Sequence, residues 1–146
     1  MFVEELEPLK ENIIGEIDFN LNNLENVKCI KTLNGHTGGV SCLTIMNNDK
    51  IVSGSTDNSI KMWNMESGLC LKTLNGHTNY VRCLTIINND KIVSGSSDCS
   101  IKMWNVESGL CIKTLNGHTD SVSCLTIINN DKIVSGSSDN SIKIWN

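Results

Sequence analysis

The sequence predicts an all-β fold assembled from three copies of one unit. Three observations carry this reading. The segment Cys29-Ile30-Lys31-Thr32-Leu33-Asn34-Gly35-His36-Thr37 returns at Cys70 and again at Cys111, a period of 41 residues. Within each period, short β-rich runs alternate with polar turn clusters. Four such runs in 41 residues leave no room for a crossover helix, so the connections are tight antiparallel turns rather than βαβ units.

Taken in chain order, the first element is a leader. Residues 1–28 hold seven acids against Lys10 and Lys28, whereas residues 29–146 carry a net charge of +1, and this shift marks a boundary near Lys28. Leu9, Ile13, Ile17, Leu21 and Leu24 recur at helical spacing and Pro8 suits a first helical position, so a helix is expected from about Pro8 to Asn23. It would serve as a dimerising helix, as the end of an upstream coiled coil, or as a helix packed on the edge of the body. The repeats follow as 29–69, 70–110 and 111–146. In the first, Val40 to Ile45 reads as a strand ended by Asn47-Asn48-Asp49, and Lys50 to Ser55 as a second, ended by Thr56-Asp57-Asn58. Ser59 to Asn64 is the third, ended by Glu66-Ser67-Gly68, and Leu69 to Leu74 the fourth. Asn34-Gly35 is a strong hairpin signal by itself. It lies between one unit's last strand and the next unit's first, and is read as a link. The first two copies differ at eight of 41 positions, and the third differs from the second at six of 36.

Composition narrows the function classes. The chain has 146 residues, 39% hydrophobic and only 4% aromatic, so its core must come from Ile, Leu, Val, Met and Cys. No stretch approaches the roughly 18 apolar residues a membrane helix needs. The acidic start Met1-Phe2-Val3-Glu4-Glu5 lacks a signal peptide's basic end and apolar run, and a cytoplasmic or nuclear location is expected. The near-neutral body offers no electrostatic footprint for nucleic acid or anionic lipid. Seven cysteines, an odd number, are expected as reduced thiols, five or more of them small apolar fillers.

Gly35-His36, Val40, Leu43 and Ile45, then Ser53-Gly54-Ser55-Thr56-Asp57, then Ile60-Lys61-Met62-Trp63-Asn64 resembles the WD-repeat signature, as do its copies at 76–105 and 117–146. The resemblance covers 29–146. Two departures sit in turns: Asn64, Asn105 and Asn146 replace the second letter of the WD pair, and Asn-Asn-Asp replaces the usual Pro-Asp-Gly. The resemblance implies a β-propeller whose blades are four-stranded antiparallel sheets around a channel.

A hydroxyl, an imidazole and a carboxylate in one repeat invite a hydrolase-triad reading. The set occurs three times, whereas an active site needs one. The resemblance implies instead a structural network in each blade, formed by His36, Ser53, Asp57 and Trp63, by His77, Ser94, Asp98 and Trp104, and by His118, Ser135, Asp139 and Trp145. Cys29, His36 and Cys42 recur without the close Cys-x2-Cys pairs of zinc sites, so no metal and no cofactor is expected. Cys99 replaces Asn58 and Asn140 in a turn and is expected to be exposed.

Differences between copies carry the functional expectation. By resemblance, Gly39, Ser41 and Thr56, then Tyr80, Arg82 and Ser97, then Ser121, Ser123 and Ser138 face the propeller's top surface. Tyr and Arg are common interface anchors, and Arg82 is the only arginine in the chain. Neutral drift of duplicated surface positions is the competing account. The expected function is a non-catalytic scaffold binding a peptide or protein on this face. Counted as strands, the chain supplies a lone fourth strand at Cys29 to Leu33, two full blades, and three strands from Val122 to Trp145: three blades, below the usual four to eight. Self-association into a six-bladed homodimer, or further WD repeats in a longer regulatory protein, would complete the ring.

Overall fold

Each β-rich run bounded by polar turns becomes a strand. A computed structural model describes residues 27–47, 49–129 and 131–146. The chain divides into two compact units, Met1–Ile30 and Lys31–Asn146. The helix expected over Pro8 to Asn23 lies outside the described residues. The second unit contains β1 (Val40–Met46), β2 (Lys50–Ser55), β3 (Ile60–Asn64), β4 (Cys70–Leu74), β5 (Val81–Ile87), β6 (Lys91–Ser96), β7 (Ile101–Asn105), β8 (Cys111–Leu115), β9 (Val122–Ile128), β10 (Lys132–Ser137) and β11 (Ile142–Trp145). They form three antiparallel meanders, β1 to β4, β5 to β8 and β9 to β11. No helix among the described residues is long and apolar enough to cross a membrane.

Both departures from the repeat signature are explained by turn chemistry. Asn47, Asn88 and Asn129 open the first hairpin of each sheet with φ of 53°, 50° and 51°. Asn tolerates this left-handed region better than other side-chain-bearing residues. At the other departure, Asn64 Oδ1 accepts the Ser67 amide at 2.7 Å and Asn105 Oδ1 the Ser108 amide at 2.8 Å, closing the β3–β4 and β7–β8 turns.

The expected strand at Cys29 to Leu33 enters none of the three sheets, so the described strands number eleven rather than twelve. An outer strand is laid down on the third strand of its own blade, as β4 is on β3 and β8 on β7. No such strand precedes residue 29 among the described residues. Lys31 nevertheless takes the place on the first blade that Lys72 takes on the second: its ammonium donates to the Met65 carbonyl at 3.0 Å, as that of Lys72 donates to the Val106 carbonyl at 2.8 Å.

The core lies between blades. Met46, Val52, Ile60, Met62 and Leu74 of the first sheet pack with Val81, Ile92 and Trp104 of the second. Cys83, Ile87, Val93 and Ile101 of the second pack with Val122 and Ile133 of the third. Contact is close enough to require glycine: a Cβ on Gly54 would lie 2.6 Å from both Cys42 Sγ and Val81 Cγ1, and one on Gly95 would lie 2.6 Å from Cys83 Sγ and Val122 Cγ1.

This arrangement overturns the expectation for the cysteines. Cys83 alone is buried, Cys42 and Cys99 are half-buried, and Cys29, Cys70, Cys111 and Cys124 are exposed. Cys70 and Cys111 lie on outer strands, and Cys124 lies on a face that no further blade covers. The turn residue Cys99 is half-buried rather than exposed, its thiol directed at the Ser97 carbonyl 3.9 Å away.

Candidate partner-binding face and buried network

Spacing along the repeat delivers four side chains to one point in each blade. Histidine arrives on the link before the first strand, serine on the second strand, aspartate in the turn after it, and tryptophan on the third. In the second blade, His77 Nδ1 lies 2.7 Å from Asp98 Oδ2, His77 Nε2 lies 2.7 Å from Ser94 Oγ, and Trp104 Nε1 donates to Ser94 Oγ at 2.8 Å. The first blade repeats this with 2.8, 2.7 and 2.8 Å for His36–Asp57, His36–Ser53 and Trp63–Ser53. The third does so with 2.6, 2.8 and 2.8 Å for His118–Asp139, His118–Ser135 and Trp145–Ser135. All twelve residues expected in these networks are therefore brought together in three matching sets.

In the second blade, burial favours a neutral His77 imidazole, and the proton inventory closes with it. Nδ1–H donates to the carboxylate, Nε2 accepts the serine hydroxyl, and the serine oxygen accepts the indole N–H. Burial lowers the basicity of His77, outweighing the hydrogen bond and charge of Asp98. Burial alone would raise the Asp98 carboxyl. The Ser100 hydroxyl, His77 and the Ser100 amide more than offset it and hold Asp98 at about 2. Asp57 is likewise held below the usual carboxylate range, against its burial, by the Ser59 hydroxyl and amide, His36 and the Thr37 amide. Asp139 is held low first by the Ser141 hydroxyl, then, against burial, by His118 and the Thr119 and Ser141 amides. Each aspartate thus pins two loops: Asp98 takes the Thr78 amide at 3.1 Å from the link and the Ser100 amide at 2.9 Å from its own turn.

This geometry is unlike a working nucleophile. Ser53, Ser94 and Ser135 are buried, and the indole N–H occupies the oxygen that would attack. The network fastens loops. A glycine precedes each histidine because the indole lies over it: a Cβ on Gly35 would sit 3.0 Å from Trp63, and one on Gly76 would sit 3.1 Å from Trp104. Among the described residues, no three His, Cys, Asp or Glu side chains are grouped to hold a metal ion.

At the sheet ends carrying these turns, the nine residues expected on the top face form two triplets, in the second and third blades, and one pair in the first. In the second blade the Ser97 amide donates to the Tyr80 carbonyl at 2.9 Å, Arg82 Nε donates to Ser97 Oγ at 2.7 Å, and the guanidinium carbon lies 5.8 Å from the centre of the Tyr80 ring. In the third, the Ser138 amide donates to the Ser121 carbonyl at 2.9 Å and Ser123 Oγ lies 3.5 Å from Ser138 Oγ. In the first, the Thr56 amide donates to the Gly39 carbonyl at 2.9 Å, but Ser41 turns elsewhere. Its hydroxyl lies against the Val81 carbonyl of the next blade and 3.1 Å from the Gly54 carbonyl, so it belongs to the seam between blades.

A feature that the sequence reading missed sets these side chains apart. Ser41, Arg82 and Ser123 are the extra residues of β-bulges, the pairing jumping from Val40 to Cys42, from Val81 to Cys83, and from Cys124 to Val122. A bulge releases its extra residue from the ladder and re-aims the side chain. The only signal in the sequence is that these positions vary while their neighbours do not.

The model for the WD domain, G-beta repeat matches residues 27–64, 68–105 and 109–146. Among solved structures, that of U3-55K superposes with a TM-score of 0.76 at 31% identity, covering 80% of this chain and 38% of that one. The RRP9 WD40 repeats give the same values. The WD40 beta propeller domain of Doa1 gives 0.75 at 32% identity, covering 79% of this chain and 39% of that one. This chain therefore spans about two fifths of the structures it matches. The fold of those structures is generally that of a non-catalytic protein-interaction scaffold. With three repeats matched in sequence and the propeller architecture matched in space, the chain belongs to the WD-repeat family.

Proposed function

We propose that the chain is a protein-interaction scaffold that docks a protein or peptide on the face centred on Tyr80 and Arg82. The observation that carries this is the Tyr80–Arg82–Ser97 cluster: an aromatic ring and a guanidinium held together on a bulge, where the copies differ most. Both side chains are exposed. The Ser97 bond and the tyrosine ring pre-order the long arginine, which lowers the entropy lost on binding. The terminal nitrogens of Arg82 are offered to a carboxylate or carbonyl of the partner, and the serines at 121, 123 and 138 extend the polar surface.

The test is affinity capture from the protein's own cell lysate, comparing the parent with Tyr80→Ala/Arg82→Ala and with a control altered at Lys50 on the far hairpin. Proteins retained by parent and control but lost by the double variant are expected. Identical captures from all three would reject the assignment of this face.

A further inference from the structure

The two ends of the blade array are the two halves of an interface already formed twice within it. On its open side the first blade presents Val40, Leu43, Ile45 and Ile51, the residue types that the second presents to the first as Val81, Leu84, Ile86 and Ile92. The third blade's open side carries Cys124, Ile128, Val134, Ile142 and Ile144, which match Cys83, Ile87, Val93, Ile101 and Met103 at all but the last position. Burial shows what is missing. Val81 and Val122 are 0% exposed, but Val40 is 54% exposed; Ile60 and Ile101 are 0% and 1% exposed, but Ile142 is 77%. Beside Gly136, a hollow lined by Cys124, Leu125, Val134 and Ile142 stands where the other blades hold a valine. A Cβ on Gly136 would meet only Cys124 Sγ, whereas those on Gly54 and Gly95 would also meet Val81 and Val122.

We infer that a second copy of this chain packs head-to-tail on the first, with Val40 of one copy over Gly136 of the other. Leu43 and Ile45 then lie against Ile142 and Ile144. In the internal seams Cys42 Sγ reaches the Val81 carbonyl at 3.9 Å and Cys83 Sγ the Val122 carbonyl at 3.6 Å, and Cys124 would reach that of Val40 in the second copy. Two copies supply six blades, within the range in which propellers close. Closure buries both open faces, which an open array would leave as sites for unlimited association. The inference goes beyond the docking of a partner at Tyr80 and Arg82, and its failure would leave that reading intact.

Native mass spectrometry tests it with two variants, Leu43→Glu/Ile45→Glu on one open face and Ile142→Glu/Ile144→Glu on the other. All four residues are exposed in the single chain, so the substitutions leave its core alone. The parent is expected at twice the chain mass of 16.0 kDa, and each variant at the single mass. An equimolar mixture of the two variants should regain the double mass, because one junction joins two unaltered faces. A monomeric parent would overturn the inference. So would a variant that stays dimeric alone, which indicates pairing of like faces, or a mixture that stays monomeric.

Discussion

Replacing Ser94 by alanine removes one oxygen and should cost far more than a serine usually does. Ser94 Oγ accepts the Trp104 indole N–H at 2.8 Å and lies 2.7 Å from His77 Nε2; the three residues are buried. Without the hydroxyl, two buried polar groups lose their partner. Each orphaned group costs about 1–3 kcal/mol, giving roughly 2–6 kcal/mol in total. The vacated space is about one atom in size, too small for a bridging water. Ser135→Ala provides the comparison. Its residues are the same, but Trp145 is half-buried and can turn its N–H to solvent, so a loss of about 1–3 kcal/mol is expected. Urea denaturation followed by tryptophan fluorescence reads both. A Ser94→Ala cost below about 1 kcal/mol, or one equal to that of Ser135→Ala, would refute the claim that burial of the hub sets its value.

Acid should weaken the fold in two stages. His77 is held below its ordinary 6.5 by burial, so its neutral form contributes stability that is full above pH 6.5 and lost as pH falls below it. Asp98, held at about 2 against an ordinary 3.8, contributes stability that is full above pH 3.8 and lost towards pH 2. The melting temperature should therefore fall between pH 7 and 5 and fall again below 4; a rise on first acidification would contradict the neutral imidazole. Cys99 sits at a φ of 67°, where the other copies place Asn58 at 70° and Asn140 at 64°. Cys99→Asn should thus raise stability by about 1 kcal/mol, read from the urea midpoint. Gly95→Ala drives a methyl into Cys83 and Val122 and should cost about 1–3 kcal/mol. Gly136→Ala, which meets Cys124 alone in the single chain, should cost less when both glycines are replaced in the single-chain Leu43→Glu/Ile45→Glu background, and equal losses in thermal melts there would contradict the packing between blades.

The networks were legible because their chemistry and their spacing repeat together. His36, Ser53, Asp57 and Trp63 recur as a set, and antiparallel meanders of the expected length fold those positions onto one point. Strand bounds were legible for a related reason: polar clusters such as Asn47-Asn48-Asp49 stop each run. The bulges at Ser41, Arg82 and Ser123 were not, because a bulge is a property of two strands in register and neither strand announces it alone. The outer strand at Cys29 to Leu33 failed similarly. Its residues repeat those of β4 and β8, but a strand exists only on a ladder, and the ladder belongs to a third strand of the same blade.

The cysteines show most directly what a repeat sequence withholds. Cys42, Cys83 and Cys124 occupy one position in three nearly identical blades. Cys83 is buried, and that burial, with Cys42 and Cys124 nearby, raises its thiol to about 12. Cys42 is half-buried and raised for the same first reason, while Cys124 is exposed. Cys42 and Cys124 have the same flanking residues, Ser before and Leu-Thr-Ile after, so the difference between these two arises from the neighbouring blade. The same holds for the valine that seals Gly54 and Gly95 but is missing at Gly136. In this chain a blade's chemistry is set by its place in the array as much as by its residues. A second copy at the open faces should therefore make Cys124 resemble Cys83. Thiol labelling should accordingly reach Cys124 faster in the Leu43→Glu/Ile45→Glu variant than in the parent, and equal rates would mean that nothing covers that face.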